Sequence, residues 1–173
     1  MNNDIVLKTD RLVLKNFTMD NFKDFVELNQ DKAMMKYFMG GAKDYRGCVL
    51  KYQEITETLK DYGYSYYAIY NKENVFIGQA GILNNYDGSL NLCYAIHRKF
   101  QRKGFGYEAT HAILNYIYSK FDNIDRITAF IFTANVPSAK LLLKLGFKET
   151  KRKDTEYGEI TYYEIFRKDV IKD

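Results

Sequence analysis

The chain has 173 residues, 46% hydrophobic, 16% aromatic and 28% charged, enough for one folded domain across residues 1–173 and too apolar for a disordered chain. A net charge of +4 suits an anionic small molecule but is no footprint for nucleic acid, and no run reaches the length of a membrane span. The N-terminus MNNDIVLKTD has no signal core, and Cys48 and Cys93 lack metal-ligand spacing, so the expectation is a cytoplasmic protein with reduced thiols and no structural metal.

Arg11 to Phe17 reads as a first strand, with Leu12 and Leu14 on one face. Thr18 or Asp20 caps a helix whose face holds Phe22, Phe25, Val26 and Asn29. Ala33 to Phe38 reads as a short helix, with Met34, Met35, Tyr37 and Phe38 assigned to the core. Asp44 to Tyr62 carries Cys48, Val49, Tyr52, Ile55 and Leu59 at helical spacing, with Gly63 behind it. Tyr66 to Tyr70 and Val75 to Leu83 form a hairpin across Asn71 to Asn74, and Gly78 and Gly81 mark close backbone contact. Asn85-Tyr86-Asp87-Gly88-Ser89 turns the chain into a strand from Leu90 to Ile96.

After that strand comes Gln101-Arg102-Lys103-Gly104-Phe105-Gly106, and then a helix with Ala109, Ala112, Ile113, Tyr116 and Ile117 on one face. Glycines let a backbone bend and approach a ligand. The first turn of a helix offers unpaired N–H groups and positive potential, which suits a phosphate. Arg98, Lys99, Arg102 and Lys103 add charge. On its own the loop leaves three readings open: a solvated basic turn, a dinucleotide site and an acyl-coenzyme A site. Gly104, Gly106 and Ala109 satisfy G-x-G-x-x-G/A, but the polar stretch before them and the missing ribose-binding acid argue against a dinucleotide. No G-x-x-x-x-G-K-[ST] is present. Ile127 to Phe132 is the next strand. Asn135 caps a helix with Pro137 in its first turn and Gly146 behind it, and a final strand pair surrounds Tyr157-Gly158.

Four motifs in order resemble the GNAT superfamily of N-acyltransferases, RimJ/RimL-like branch: Thr9-Asp10-Arg11-Leu12-Val13-Leu14, the Gln101–Gly106 loop, Asn135-Val136-Pro137-Ser138 and Lys144-Leu145-Gly146-Phe147. The resemblance covers nearly the whole chain. With the element order it implies an α/β (α+β mixed) fold, a mostly antiparallel sheet of about seven strands with helices on both faces. It further implies an acetyl-CoA-dependent enzyme acting by direct transfer on a small-molecule, protein or peptide amine, as monomer or homodimer. By the same resemblance, the diphosphate of acetyl-CoA is expected on the amides around Gln101, Arg102, Lys103, Gly104, Phe105, Gly106 and Tyr107. The pantetheine arm is expected along Tyr94, Ala95 and Ile96, with Asn135 and Ser138 near the sulfur.

Two positions depart from the common pattern. Asn91 stands where many members carry a glutamate base, and Leu142 where many carry a tyrosine acid. Ser138 is the expected proton donor, and Glu156 the expected replacement base. His97 and His111 read as surface residues. Neutralising a lysine (pKa ~10.4) at pH 7 costs about 4–5 kcal/mol, against about 1 kcal/mol for an α-amine (pKa ~7.7–8.0). A site without a strong base therefore favours an α-amine. A non-catalytic acyl-CoA-binding module and a basic nucleic-acid-binding domain are the competing readings.

Overall fold

In the computed structural model, which describes residues 5–85 and 87–170, the strands are β1 (Ile5–Lys8), β2 (Leu12–Asn16), β3 (Tyr66–Asn71), β4 (Phe76–Asn84), β5 (Leu90–Ile96), β6 (Arg126–Phe132), β7 (Lys148–Thr155) and β8 (Gly158–Phe166). The helices are α1 (Phe22–Gln30), α2 (Lys32–Met35), α3 (Tyr45–Tyr62), α4 (Phe105–Lys120) and α5 (Val136–Lys144). One sheet runs in the order β1-β2-β3-β4-β5-β6-β8-β7. Every neighbouring pair is antiparallel except β5 and β6. The eighth strand is β1, an edge strand that the sequence pattern does not announce.

Period-two alternation splits the sheet into two apolar faces. Leu12, Leu14, Tyr67, Ile69, Ile82 and Leu92 pack with Ala109, Ile113 and Ile117 of α4. Tyr66, Ala68, Tyr70 and Leu83 face the other way, against Phe25 of α1 and Cys48 and Ile55 of α3. Ile113 and Ile117 are fully buried, and each contributes about 1.5–3 kcal/mol by leaving water. Asp44 caps α3, accepting from the Gly47 amide at 2.7 Å. A side-chain carbon at Gly78 would lie 2.1 Å from the Ala95 carbonyl, and one at Gly81 equally near that of Ser65, so the expected close approach is real.

Two expectations change. The short second helix ends at Met35; Met34 and Met35 are buried, but Tyr37 and Phe38 lie beyond it and line a cleft. His111 is buried, stacked on Tyr107 at 5.5 Å, rather than on the surface. The turn before β5 closes through Asn85 and Ser89 (2.8 Å), while Tyr86 lies outside the described residues. Among the described residues no helix is long and apolar enough to cross a membrane.

Candidate active site

β5 and β6 pair only at Asn91 and Thr128, where the Thr128 hydroxyl also donates to the Leu90 carbonyl at 2.8 Å. Both strands start there and run the same way, so beyond this point their C-terminal ends part. The gap opens into a cleft of about 710 Å³, walled by Leu92 to Tyr94 on one side and Ala129 to Phe132 on the other. The His97 amide donates to the Ile77 carbonyl of the neighbouring chain segment at 2.8 Å. By the alternation of the ladder, Tyr94 and Ile96 turn their backbone groups to the gap and Ala95 turns its own to β4. Ala95 therefore does not offer the backbone partner expected of it. The Gln101 side chain donates to the Ile96 carbonyl at 2.8 Å and ties the loop to the strand end.

The loop bends through two left-handed residues, Arg102 (φ 60°) and Gly104 (φ 84°). Glycine bears that φ without cost, whereas a residue with a side chain such as Arg102 adopts it rarely. Among the described residues no acceptor takes the backbone amides of Arg102 to Tyr107; the first such bond of the helix is Glu108 N–H to the Gly104 carbonyl, 3.0 Å. Gly106 lies against the next helix, and a side-chain carbon there would sit 3.1 Å from Leu141 Cδ1 and 3.5 Å from Ile96 Cγ1. Free amides, a helix N-terminus and space kept clear by glycine fit the diphosphate of coenzyme A.

Across the gap, the Tyr94 hydroxyl and Ser138 Oγ share a hydrogen bond of 2.5 Å. Ser138 is buried, and both residues line the cleft with Asn135. Burial pushes the Tyr94 phenol up to about 12, against the pull of its bond to Ser138, so it keeps its proton. Asn135 makes no side-chain capping bond to α5, which leaves its amide for the cleft. Leu142 is 1% exposed and belongs to the core.

The far wall is built from α3, β3 and β5. Asn91 is 3% exposed; its Nδ2 donates to Cys93 Sγ at 2.8 Å, and its Oδ1 is buried with no partner. The Tyr66 hydroxyl interacts with the same sulfur. Lys51 lies 5.7 Å from the Tyr66 ring and 2.8 Å from Glu54. Burial raises the Cys93 thiol, more than its bonds to Tyr66 and Asn91 and the charge of Lys51 lower it. Cys93 is thus a neutral thiol and a poor nucleophile.

The structure brings Tyr94, Asn135 and Ser138 to one cleft, with Ile96 and the Gln101–Tyr107 loop adjoining Tyr94. Glu156 is not among them: it sits exposed in the tight turn between β7 and β8, solvated and away from the cleft wall. Lys51, Glu54 and Tyr66 were missed. Charged residues three apart on a helix read as a solvated face, and only the packing of α3 beside β3 turns them inward.

The Acetyltransferase (GNAT) domain family matches residues 11–148. The chain is similar to the uncharacterized N-acetyltransferase YnaD of Bacillus subtilis, at 26% identity over 94% of this chain and 98% of that one. It is 30% identical to the ribosomal protein uS5-alanine N-acetyltransferase of Escherichia coli, over 86% of this chain and 81% of that one. The fold matches a spermidine N-acetyltransferase from Vibrio cholerae, solved with CoA and spermine, at a TM-score of 0.80 and 16% identity, covering 93% and 98% of the two chains. With a family match across most of its length and a parallel pair that parts beside a glycine loop, the chain belongs to the GNAT family of acetyltransferases.

Proposed function

We propose that this chain moves an acetyl group from acetyl-CoA directly to an α-amine, that of a protein, a peptide or an amino-acid-like small molecule. The observation that carries the reading is Asn91. It occupies the cleft beside the parted strands, with a buried Oδ1 that has no partner. An amide oxygen accepts a hydrogen bond from a neutral amine but does not take its proton. An acceptor that is already largely neutral near pH 7 suits such a site. The 30% identical Escherichia coli relative, named for an alanine of a ribosomal protein, supports the same acceptor class.

Among the described residues, the charged side chains lining the cleft are Lys43, Lys51 and Glu54. Two cations to one carboxylate, the carboxylate already paired with Lys51, disfavour a polyamine. Acetyl-CoA supplies the acyl group as an activated thioester. Amides from Arg102 to Tyr107 bind the diphosphate, and the gap-facing backbone of Tyr94 and Ile96, with the Asn135 side chain, binds the arm. Asn91 Oδ1 orients the amine. As nitrogen bonds the acyl carbon and the carbon–sulfur bond breaks, the nitrogen sheds one proton to water, while Ser138 Oγ, backed by the Tyr94 hydroxyl, passes a proton to the departing sulfur and is reprotonated from solvent. The neutral Cys93 thiol speaks for direct transfer rather than a covalent acyl-enzyme. A cytoplasmic setting keeps both free thiols reduced.

A screen of amines and peptides with acetyl-CoA, read by mass spectrometry, tests the proposal. Acetylation of α-amines is expected. Faster acetylation of lysine side chains or polyamines would refute it.

A further inference from the structure

The loop with the free amides is gripped from outside its own helix. β1 passes into β2 through a turn at Thr9, Asp10 and Arg11, closed by Thr9 N–H to the Leu12 carbonyl and Leu12 N–H to Thr9 Oγ1, both 3.0 Å. This turn sits against the first turn of α4. Glu108 Oε1 accepts from Thr9 Oγ1 (2.5 Å) and from the Arg11 amide (3.0 Å). Glu108 Oε2 meets Arg11 Nε and Nη2, each at 2.6 Å. Arg11 Nη1 then donates to the Lys103 carbonyl at 2.9 Å, and its guanidinium lies 4.6 Å from the centre of the Phe105 ring.

We propose that Arg11 is a positioning residue for the cosubstrate: it holds the Lys103 carbonyl and neutralises Glu108, and so aims the Gly104 amide at the diphosphate of acetyl-CoA. The inference rests on the reading of this loop as the diphosphate seat.

Two steps carry it. First, a peptide is planar and trans, so a carbonyl and the following N–H point in opposite directions; no cis peptide occurs among the described residues. An arginine fastened to the Lys103 carbonyl therefore turns the Gly104 N–H away from itself, to the open side of the loop. A side-chain carbon at Gly104 would lie 3.1 Å from Arg11 Nη2, a tight fit at a left-handed residue that already favours glycine. Second, Glu108 places a negative charge in the first turn of the helix that is to receive an anion. Burial raises its carboxyl, but bonds from Thr9 and from the Arg11 amide and guanidinium, with the Arg11 charge, bring it below the usual range. It is a carboxylate at neutral pH and would repel the diphosphate if left unpaired. A fork-shaped cation spans both the carboxylate and the carbonyl; the point charge of a lysine reaches one of them.

The test titrates coenzyme A into the wild-type chain, Arg11→Met and Arg11→Lys by calorimetry, and follows the Gly104 amide resonance by NMR. Arg11→Met is expected to weaken binding about tenfold or more, the weight of a lost charge-assisted bond, and Arg11→Lys by roughly three- to tenfold, the weight of an ordinary one. The Gly104 resonance is expected to move on adding CoA to the wild type and not to Arg11→Met, while resonances of β3 and β4 stay in place. A merely structural role would shift those core resonances and spare the Gly104 response. If Arg11→Met does not fold, Arg11→Lys decides. A variant that binds within twofold of wild type overturns the inference. A wild type that ignores CoA overturns the functional reading instead.

Discussion

Replacing Gly104 with valine separates a binding role for the loop from a folding role. The residue is left-handed, φ 84°, where a residue with a side chain bears roughly 1–3 kcal/mol of strain. Its new Cβ would come within 3.1 Å of Arg11 Nη2. Arg11 is half exposed (49%), and a shift of a few tenths of an ångström relieves the contact without releasing its bonds to Glu108 and Lys103, which adds little more. Against a typical stability of about 5–15 kcal/mol, the fold survives, with the thermal midpoint down by roughly 2–4 °C per kcal/mol. Binding fares worse. Relief of the φ strain rotates the peptides on either side of residue 104 and misdirects one or two amides. Each charge-assisted bond is worth about 1.5–3 kcal/mol, so affinity for CoA drops at least about tenfold and, with both lost, beyond detection. Calorimetric titration with CoA, paired with a melting curve, reads both quantities. A folded variant that keeps wild-type affinity within threefold would refute the assignment of the loop.

Three further outcomes are expected. Tyr94→Phe removes a hydroxyl 2.5 Å from the buried Ser138 Oγ. The turnover rate should drop by about 10²-fold or more while CoA affinity stays within threefold; unchanged turnover in an acetyl-transfer assay would make the pair purely structural. In pH–rate profiles, the midpoint should follow the pKa of each amine tried, with the rate climbing tenfold per pH unit below it. Tyr94, raised to about 12 by burial, loses its proton only as pH climbs past that value, so no alkaline fall is expected in the working range. A midpoint fixed whatever the amine would reveal an enzyme base. Finally, Arg167 donates to the carbonyls of Tyr118, Phe121 and Ile124 at the C-terminal end of α4. Arg167→Ala should cost about 2–3 kcal/mol in denaturant unfolding, with CoA affinity intact because the loop lies at the other end of the helix.

The sheet and its helices were legible where periodicity runs long. The stripe of α4 and the spacing of α3 announce themselves, and the glycines of β4 mark its tight approach to β3 and β5. β1 did not, because Ile5-Val6-Leu7-Lys8 has neither alternation nor length; it is a strand because β2 offers it an edge. Asn29 fell on the predicted face of α1, but its burial depends on an amide pair with Gln79 (3.2 and 3.3 Å) from β4. His111 reads as polar on a helical wheel and is buried by stacking on Tyr107. A wheel shows where a side chain points and not what a neighbouring aromatic does to it.

The two halves of the active site differ in how they are encoded. On the proposed reading backbone amides take the diphosphate and local bends aim them, so glycine spacing in a short stretch suffices to reveal the donor side. The acceptor side has no such local record. Lys51 and Glu54 are a helical ion pair, Tyr66 begins a strand and Asn91 lies inside another; they become one wall only when α3 packs over β3 and β5. Each can be exchanged without disturbing a capping residue, a tight turn or the loop itself. On that reading donor and acceptor specificity rest on separate parts of the fold. A chain of this kind can keep one cosubstrate while its acceptor changes, and the few side chains around Asn91 are where such a change would be made.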